Sequence, residues 1–285
     1  MKFALVNNQR QEAIPKTKGI CPGCNAPVIA KCGTKRVHHW AHETKQDCKN
    51  DRWEKEGPWH QNWKSQFPQD WQEQIMIINN EKNIADIKTP QGLVIEFQHS
   101  HITPEEQKAR EEAYKNMIWV VDGTRLKQDF IRFQERVIKK RYLYFILYKK
   151  NWKLFSINSY CEVFPKNWIA SSVPVIFDFL GQEKEENSDK FRKYLYCLLP
   201  VNKIKRNERT AFLFFMPRKD FIPFIINNEW NNFYDKLQAD IWERILEDKK
   251  EQERILNNEL KEQYKGNKTK YKRFYDKFGF CKIFK

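Results

Sequence analysis

Two acidic residues in a strand-forming stretch are the residues best placed to do chemistry. Asp86 lies in the segment Ile84–Lys88 and Glu96 in the segment Leu93–Gln98, and the turn Thr89–Gly92 joins the two. A hairpin with this turn folds Asp86 back beside Glu96. Two carboxylates brought together among apolar residues repel each other and lose hydration unless a cation compensates them. Hard oxygen ligands of this kind suit Mg²⁺ or Mn²⁺.

Three further residues are candidates for the same site. Period-two alternation puts Gln98 on the face of Glu96, where its amide could orient a water molecule. Glu56 and His60 are four residues apart on one face of a predicted helix, with His60 as a third metal ligand. Such a set permits phosphodiester hydrolysis, because the metal polarises the scissile phosphate and lowers the pKa of the attacking water. The alternative is that Asp86 and Glu96 are ordinary solvent-facing residues of an antiparallel pair of strands.

A second group of candidate ligands lies near the start of the chain. The segment CPGC at 21–24 aims two thiolates at one ion, and HWAH at 39–42 and a further cysteine follow within 24 residues. Zinc prefers four such ligands in a tetrahedron. Because so short a segment cannot bury much apolar area, the metal would supply folding energy and be structural. The alternative is a reduced module without metal. We favour as ligands Cys21, Cys24, His42 and Cys48, with His39 either replacing one of them or supporting them.

The elements that must position these residues follow from periodicity. Trp59, Trp63 and Phe67 recur every four residues and predict a helix over 53–67. Thr103 followed by Pro104 is typical of a helix start. Between and after these helices, apolar runs predict strands at Gln74–Ile78, Ile84–Lys88, Leu93–Gln98 and Met117–Val121. The order helix, three strands, helix, strand predicts a compact α/β core.

Composition bounds the class of protein. The 285 residues are 40% hydrophobic and 15% aromatic, which is enough for packed cores and too much for a disordered chain. No apolar stretch reaches the roughly 18 residues that a membrane helix needs, and the first residues lack the apolar centre of a secretory signal. These features predict a soluble, cytoplasmic protein with reduced cysteines and no membrane partner.

The charge is distributed unevenly. The net charge of +15 divides into +1 for residues 1–124, with 17 basic and 16 acidic residues, and +14 for residues 125–285. A basic, aromatic-rich second half suggests a polyanion partner. Its exposed aromatic side chains could stack on single-stranded bases.

Three regions are predicted along the chain. Residues 1–52 form a small zinc module, residues 53–124 the α/β core, and residues 125–285 a basic, mixed α/β region. The last region contains a charged helix at about 231–264, with apolar residues on one face. The predicted fold class is therefore α/β (α+β) with an N-terminal zinc module.

The motifs of residues 1–124, taken in order, resemble the competence protein CoiA-like family. They are CPGC, HHWAH with Cys48, EGPWHQNWK, ADIKTPQGLVIEFQHSHITPEE, the Arg110–Tyr114 segment and MIWVVDG. The resemblance implies a nuclease-like core of the PD-(D/E)XK superfamily, with a mixed sheet flanked by helices. It assigns Asp86 and Glu96 to the two strand acids and Glu56 to the helix acid. Gln98 stands at the usual lysine position, as in this family's own ExQ pattern.

The resulting hypothesis is a Mg²⁺-dependent deoxyribonuclease. The family name suggests DNA processing in competence and transformation, or recombination, and the same chemistry fits defence against phage or plasmid DNA. Arg110 and Tyr114 could face phosphate or could equally pack and solvate their helix. The rival hypotheses are a non-catalytic DNA-binding or scaffolding protein with the same fold, and RNA as the substrate. A homo-oligomer, or a recombination or defence protein as a partner, is left open.

Overall fold

The protein is mixed α/β, as predicted. In the computed structural model, the chain separates into two compact units, residues 1–228 and 229–285. The first unit contains two β-sheets, and the described part of the second is one long helix. The described residues are 1–34, 38–44, 48, 57–78, 81–138, 144–149, 152–158, 162–183, 186, 188–200 and 210–263.

A five-stranded antiparallel sheet forms the N-terminal module. Its strands are β1 (Phe3–Val6), β2 (Gln9–Glu12), β3 (Lys18–Ile20), β4 (Pro27–Lys31) and β5 (His39–His42), in the order β2-β1-β3-β4-β5. Asn7 and Asn8 join β1 to β2 with φ angles of 51° and 62°, the left-handed conformation that two-residue hairpin turns require. The buried core is small and centres on Ala4, Val28 and Trp40. A core of this size gains much from a metal ion.

A nine-stranded mixed sheet organises the rest of the first unit. Its order is β10-β11-β14-β13-β12-β9-β8-β7-β6. β8, β9 and β12 are neighbouring parallel strands, and the other pairings are antiparallel. The strands are β6 (Gln72–Ile78), β7 (Glu81–Lys88), β8 (Val94–Gln98), β9 (Met117–Asp122), β10 (Tyr144–Lys149), β11 (Trp152–Asn158), β12 (Val175–Asp178), β13 (Tyr194–Leu198) and β14 (Thr210–Pro217).

The α-helices of this unit connect and flank the strands. Helix α2 links the parallel strands β8 and β9, as a crossover connection must. It begins at Pro104, and Thr103 Oγ1 accepts a hydrogen bond of 3.2 Å from the Glu106 backbone N–H, so the predicted cap is present. The described α-helices are α1 (Pro58–Ser65), α2 (Pro104–Tyr114), α3 (Lys127–Phe133), α4 (Lys166–Ile169) and α5 (Arg218–Ile226), and the second unit contributes α6 (Trp230–Gln263).

One hydrophobic core contains residues from both the predicted α/β core, before residue 124, and the predicted basic region after it. Every residue of β9 is buried, and its Trp119 lies in the same cluster as Phe133, Phe177 and Leu213. The large sheet therefore combines strands from the predicted nuclease-like core and from the predicted basic region. The domain boundary predicted at residue 124 stays a prediction. The helix predicted at about 231–264 runs from Trp230 to Gln263, and the basic tail after it lies outside the described residues.

Candidate functional site

Four side chains of the N-terminal module converge on one point. The ligand atoms of Cys21, Cys24, His42 and Cys48 all lie within 4.8 Å of one another, and Cys24 Sγ is 3.2 Å from His42 Nε2. A tetrahedral zinc ion with bonds near 2.3 Å separates its sulfur ligands by about 3.8 Å, so this cluster fits zinc. No other group of three or more Cys, His, Asp or Glu ligand atoms in the described residues is as close.

The thiols of the cluster differ in acidity. Burial opposes ionisation of Cys24, but hydrogen bonds from the Ala26 backbone and from the side chains of Cys48 and His42 outweigh it and lower the pKa of Cys24 to about 7. Burial raises the pKa of the Cys21 thiol. Thiolate is the form that binds a metal, so at neutral pH Cys24 is closer to the binding form than Cys21.

His39 and His42 do not act as a pair. They lie on β5, and residues three apart on a strand point to opposite faces. His42 joins the converging group, whereas His39 is not among its four members and has its Cα opposite that of Lys31. The structure therefore favours the ligand set with His42 over the alternatives in which His39 replaces one ligand.

Three acidic residues lie in one row across β6, β7 and β8. The β6–β7 register, in which Gln74 pairs with Ala85, places Glu73 opposite Asp86. The β7–β8 register places Asp86 opposite Glu96. The hairpin therefore brings together the two acids that the sequence singled out, and the neighbouring strand adds a third.

The backbone ladder between β7 and β8 ends at these acids. Each carboxylate accepts a hydrogen bond from the backbone of the other strand. The Asp86 N–H donates to Glu96 Oε1 over 3.2 Å, and the Phe97 N–H donates to Asp86 Oδ2 over 2.9 Å. The two side chains are thus fixed where the strands stop pairing with each other.

Helix α1 supplies basic partners for two acids of the row. His60 Nε2 is 3.0 Å from Asp86 Oδ2. Lys64 Nζ is 2.7 Å from Glu73 Oε1 and 3.7 Å from Asp86 Oδ1. The side chain of Lys64 is 1% exposed, so its charge is compensated inside the protein by these two carboxylates.

Helix α2 supplies the partner of the third acid. Arg110 Nη1 donates to Glu96 Oε2 over 2.7 Å, and Arg110 Nη2 donates to Glu106 Oε1 over 2.8 Å. Burial alone would lower the pKa of Arg110, but the charges of Glu96 and Glu106 raise it above its usual value. Arg110 therefore stays charged and closes one side of the row.

The two central acids have opposite electrostatic environments. Burial raises the pKa of Glu96 to about 7, and the charge of Asp86 adds to the increase. Burial also acts against ionisation of Asp86, but His60 and Lys64 outweigh it and hold the pKa of Asp86 below its usual value. At neutral pH Asp86 is ionised while Glu96 is divided between its two forms, as happens when two carboxylates share one site.

A buried aspartate fixes α1 to the large sheet. Asp178 Oδ2, on β12, accepts hydrogen bonds of 3.0 Å from the indole N–H groups of Trp59 and Trp63. The ring of Trp63 also stacks on Phe97 of β8, with centroids 5.8 Å apart. These contacts determine where α1 presents His60 to the acids.

Two family descriptions match this chain. Residues 5–51 match the N-terminal domain of competence protein CoiA, and residues 56–176 match its nuclease-like domain. Together the matches cover more than half of the chain. The chain belongs to the competence protein CoiA-like family. No curated protein and no solved structure matches it significantly.

The CoiA nuclease-like match contains the whole row of acids. It begins before α1 and ends within β12, so it also extends beyond the predicted boundary at residue 124. The resemblance inferred from the motifs is thereby confirmed, and the protein has a nuclease-like domain preceded by the CoiA N-terminal domain. Within the described part of the chain, no helix combines the length and the apolar character that crossing a bilayer requires.

The remaining predicted residues of this CoiA-like protein have distinct environments. Gln98 is buried, and its Nε2 donates to the Ser100 carbonyl over 3.1 Å. Tyr114 is buried in the hydrophobic core, and burial raises the pKa of its hydroxyl, which favours packing over phosphate contact. Glu56 lies outside the described residues, as does the first turn of the helix predicted from residue 53.

Sequence reasoning missed two residues that touch the site. Lys64 is four residues after His60, so the helix spacing that indicated His60 also indicated Lys64. Glu73 had no comparable signal, because the predicted strand began at Gln74 and the register between β6 and β7 cannot be read from composition. The catalytic and metal-binding roles of Asp86, Glu96, Gln98 and His60 stay predictions.

Proposed function

We propose that this protein is a metal-dependent nuclease that hydrolyses phosphodiester bonds of DNA. The observation that carries the proposal is the pair Asp86 and Glu96, fixed side by side where the β7–β8 ladder ends, inside a region that matches a nuclease-like domain. Both side chains offer oxygen ligands, and their mutual repulsion favours a shared cation. This donor set fits Mg²⁺ or Mn²⁺.

In the proposed reaction, Asp86 and Glu96 would hold the divalent ion. When bound, such an ion polarises a phosphate and lowers the pKa of a water molecule. His60 orients the Asp86 carboxylate through their 3.0 Å contact. The amide of Gln98 would orient the attacking water. Arg110, which holds Glu96 in the metal-free protein, would become available to phosphate oxygens.

DNA as the substrate is supported by charge. Residues 125–285 carry a net charge of +14, and Lys and Arg side chains bind the phosphate backbone without regard to sequence. The family's competence function suggests DNA taken up during transformation, or DNA under recombination. Defence against foreign DNA would use the same chemistry. All three roles are proposals about the context of one reaction.

Cleavage assays test the proposal directly. The full-length protein is incubated with linear, circular and single-stranded DNA and with RNA, in Mg²⁺, Mn²⁺ or EDTA, and zinc is measured in every sample to separate its loss from loss of Mg²⁺. We expect DNA cleavage with Mg²⁺ or Mn²⁺. Asp86→Asn and Glu96→Gln should each reduce the rate by about 100-fold or more while DNA binding is retained. Glu112→Gln, on the exposed face of α2, is the matched control.

Three results would contradict the proposal. They are no cleavage of any DNA with either ion, cleavage by both acid variants at the rate of the control, and a clear preference for RNA over every form of DNA.

A second candidate function is DNA binding without catalysis. It is favoured by a specific observation: both central acids already have basic protein partners, His60 for Asp86 and Arg110 for Glu96. Gln98 also replaces the lysine of the wider superfamily. This function predicts that the two acid variants bind and act like the wild type, whereas neutralising Lys and Arg residues after position 125 abolishes DNA binding.

A further inference from the structure

The start of the N-terminal module contacts one buried carboxylate of the nuclease-like region, that of Glu73. The backbone N–H of Lys2 lies 3.0 and 3.1 Å from the two carboxylate oxygens of Glu73, and the backbone N–H of Phe3 lies 3.3 Å from Oε2. Phe3 is the first residue of β1, whereas Glu73 belongs to β6 of the large sheet. The contact therefore joins the sheet of the N-terminal module to the large sheet.

A second set of contacts joins the N-terminal module to the residues just before Glu73. The Arg10 guanidinium, on β2, donates to the backbone carbonyls of Gln69 and Gln72. It also lies over the ring of Phe3, 3.7 Å from its centroid. The first two strands of the module are thus fixed against the residues that lead into Glu73.

The backbone at Glu73 is unusual. Its φ angle is +44°, in the left-handed region that residues other than glycine, asparagine and aspartate rarely occupy. Its side chain is 3% exposed. A charged residue that is both buried and held in such a conformation needs support from its surroundings, and residues of this kind concentrate at functional sites.

Glu73 continues the contact into the row of acids. Its Oε1 is 2.7 Å from Lys64 Nζ, which is 3.7 Å from Asp86 Oδ1. A chain of charged contacts therefore runs from the backbone of β1, through a carboxylate and an ammonium group, to the candidate metal ligand. Every member of this chain is buried or nearly so.

We infer that Glu73 is a positioning residue through which the N-terminal module fixes Lys64 and, through it, Asp86. The module would then be part of the nuclease-like site as well as a zinc-stabilised appendage. This inference rests on the proposed function for its effect on cleavage. The coupling between the module and Asp86 is a property of the folded chain and can be tested separately.

The test compares Glu73→Gln with a matched control. Glu73→Gln keeps the side-chain shape but removes the charge that compensates Lys64. Glu12→Gln removes the other carboxylate that touches Lys2, at 3.3 Å from its Nζ, where the glutamate side chain is 51% exposed. Hydrogen exchange of residues 81–98, measured on the zinc-loaded full-length chain without added Mg²⁺ or Mn²⁺, reports on Asp86 without any requirement for activity. Cleavage and Mn²⁺ affinity are measured on the same proteins.

We expect Glu73→Gln to speed exchange in β7 and β8 and to lower cleavage and Mn²⁺ affinity by about 10 to 100-fold, as neighbours of metal ligands do. Glu12→Gln should leave all three unchanged. Adding Lys64→Met to Glu73→Gln removes the uncompensated ammonium group. It should restore thermal stability without restoring cleavage, whereas a merely structural role would restore both. This double variant also serves if the single variant does not fold.

The outcomes separate the two proposals. Unchanged exchange and unchanged Mn²⁺ affinity in Glu73→Gln would overturn the coupling, whatever the activity of the wild type. A wild type that cleaves nothing, combined with faster exchange in Glu73→Gln alone, would support the coupling and overturn the proposed function. Restored cleavage in the double variant would overturn the positioning role.

Discussion

Asp178→Asn is the substitution expected to weaken the support of the candidate site most. The Asp178 carboxylate is fully buried and accepts hydrogen bonds from the indole groups of Trp59 and Trp63, from Arg218 at 3.3 Å, and from two backbone N–H groups of the following turn. Asparagine offers a single acceptor oxygen. Its NH₂ group, which cannot accept, must therefore face either the indole and guanidinium donors or the backbone donors, and the bonds to that set are lost.

The size of the effect follows from the number of bonds lost. A hydrogen bond to a charged group contributes about 1.5–3 kcal/mol, and the two indole bonds together give about 3–6 kcal/mol. Removing one partner of a buried ion pair costs about 3–5 kcal/mol, so we expect a loss of about 4 kcal/mol in the free energy of unfolding. For a unit of 228 residues, this lowers Tm by about 8–16 °C.

Thermal and urea unfolding followed by tryptophan fluorescence measure this loss. Asp235→Asn, at an exposed position of α6, is the control and should unfold like the wild type. The reasoning is refuted if Asp178→Asn unfolds within about 1 kcal/mol of the control. Such a result would mean that packing of the tryptophan rings, and not the buried carboxylate, fixes α1.

Three further predictions concern the two candidate metal sites. Cys24→Ser should lower the zinc content, measured by elemental analysis, below the one ion per chain expected for the wild type. It should also destabilise the N-terminal module by several kcal/mol, because a structural zinc site supplies roughly 10–16 kcal/mol. Equal zinc in variant and wild type would exclude Cys24 as a ligand. In the zinc-free protein, Cys24, with a pKa of about 7, should react with iodoacetamide at pH 7 far faster than Cys197, whose pKa is raised by complete burial; equal labelling by mass spectrometry would contradict this. Because Glu96 has a raised pKa of about 7 in the metal-free protein, it is protonated below that pH, so Mg²⁺ affinity measured by calorimetry should increase between pH 6 and pH 8 with release of a proton, and a constant affinity would argue against Glu96 as a ligand.

The parts of the fold that follow local rules could be predicted from the sequence. The hairpin that contains Asp86 and Glu96, the Thr103 cap of α2 and the buried strand β9 each depend on neighbours within about ten residues. Alternation and turn chemistry describe such elements well. The long helix α6 has an apolar stripe that specifies it in the same way.

The parts that depend on distant contacts could not be predicted. The sequence becomes more basic after residue 124. Even so, β12, β13 and β14 extend the same sheet as β8 and β9, because β12 pairs in parallel with β9. Strand order is a tertiary property that periodicity does not contain. The same reason explains the choice between His39 and His42: the spacing favours His42 but leaves a role for His39 open, whereas a strand at that place sends the two side chains to opposite faces.

The candidate site likewise combines residues positioned by local structure with residues positioned by distant contacts. Asp86 and Glu96 meet because of a local hairpin, so the sequence indicates both. Lys64 lies near Asp86 because long-range contacts hold α1 against the sheet, among them the hydrogen bond from Trp63 to Asp178, which is 115 residues away in the chain. Gln98, at the position that the family resemblance assigns to a lysine in the wider superfamily, is uncharged, and its amide donates to the Ser100 carbonyl. The ammonium group beside the first acid therefore comes from a helix, and a motif search along one strand cannot find a charge that tertiary packing supplies.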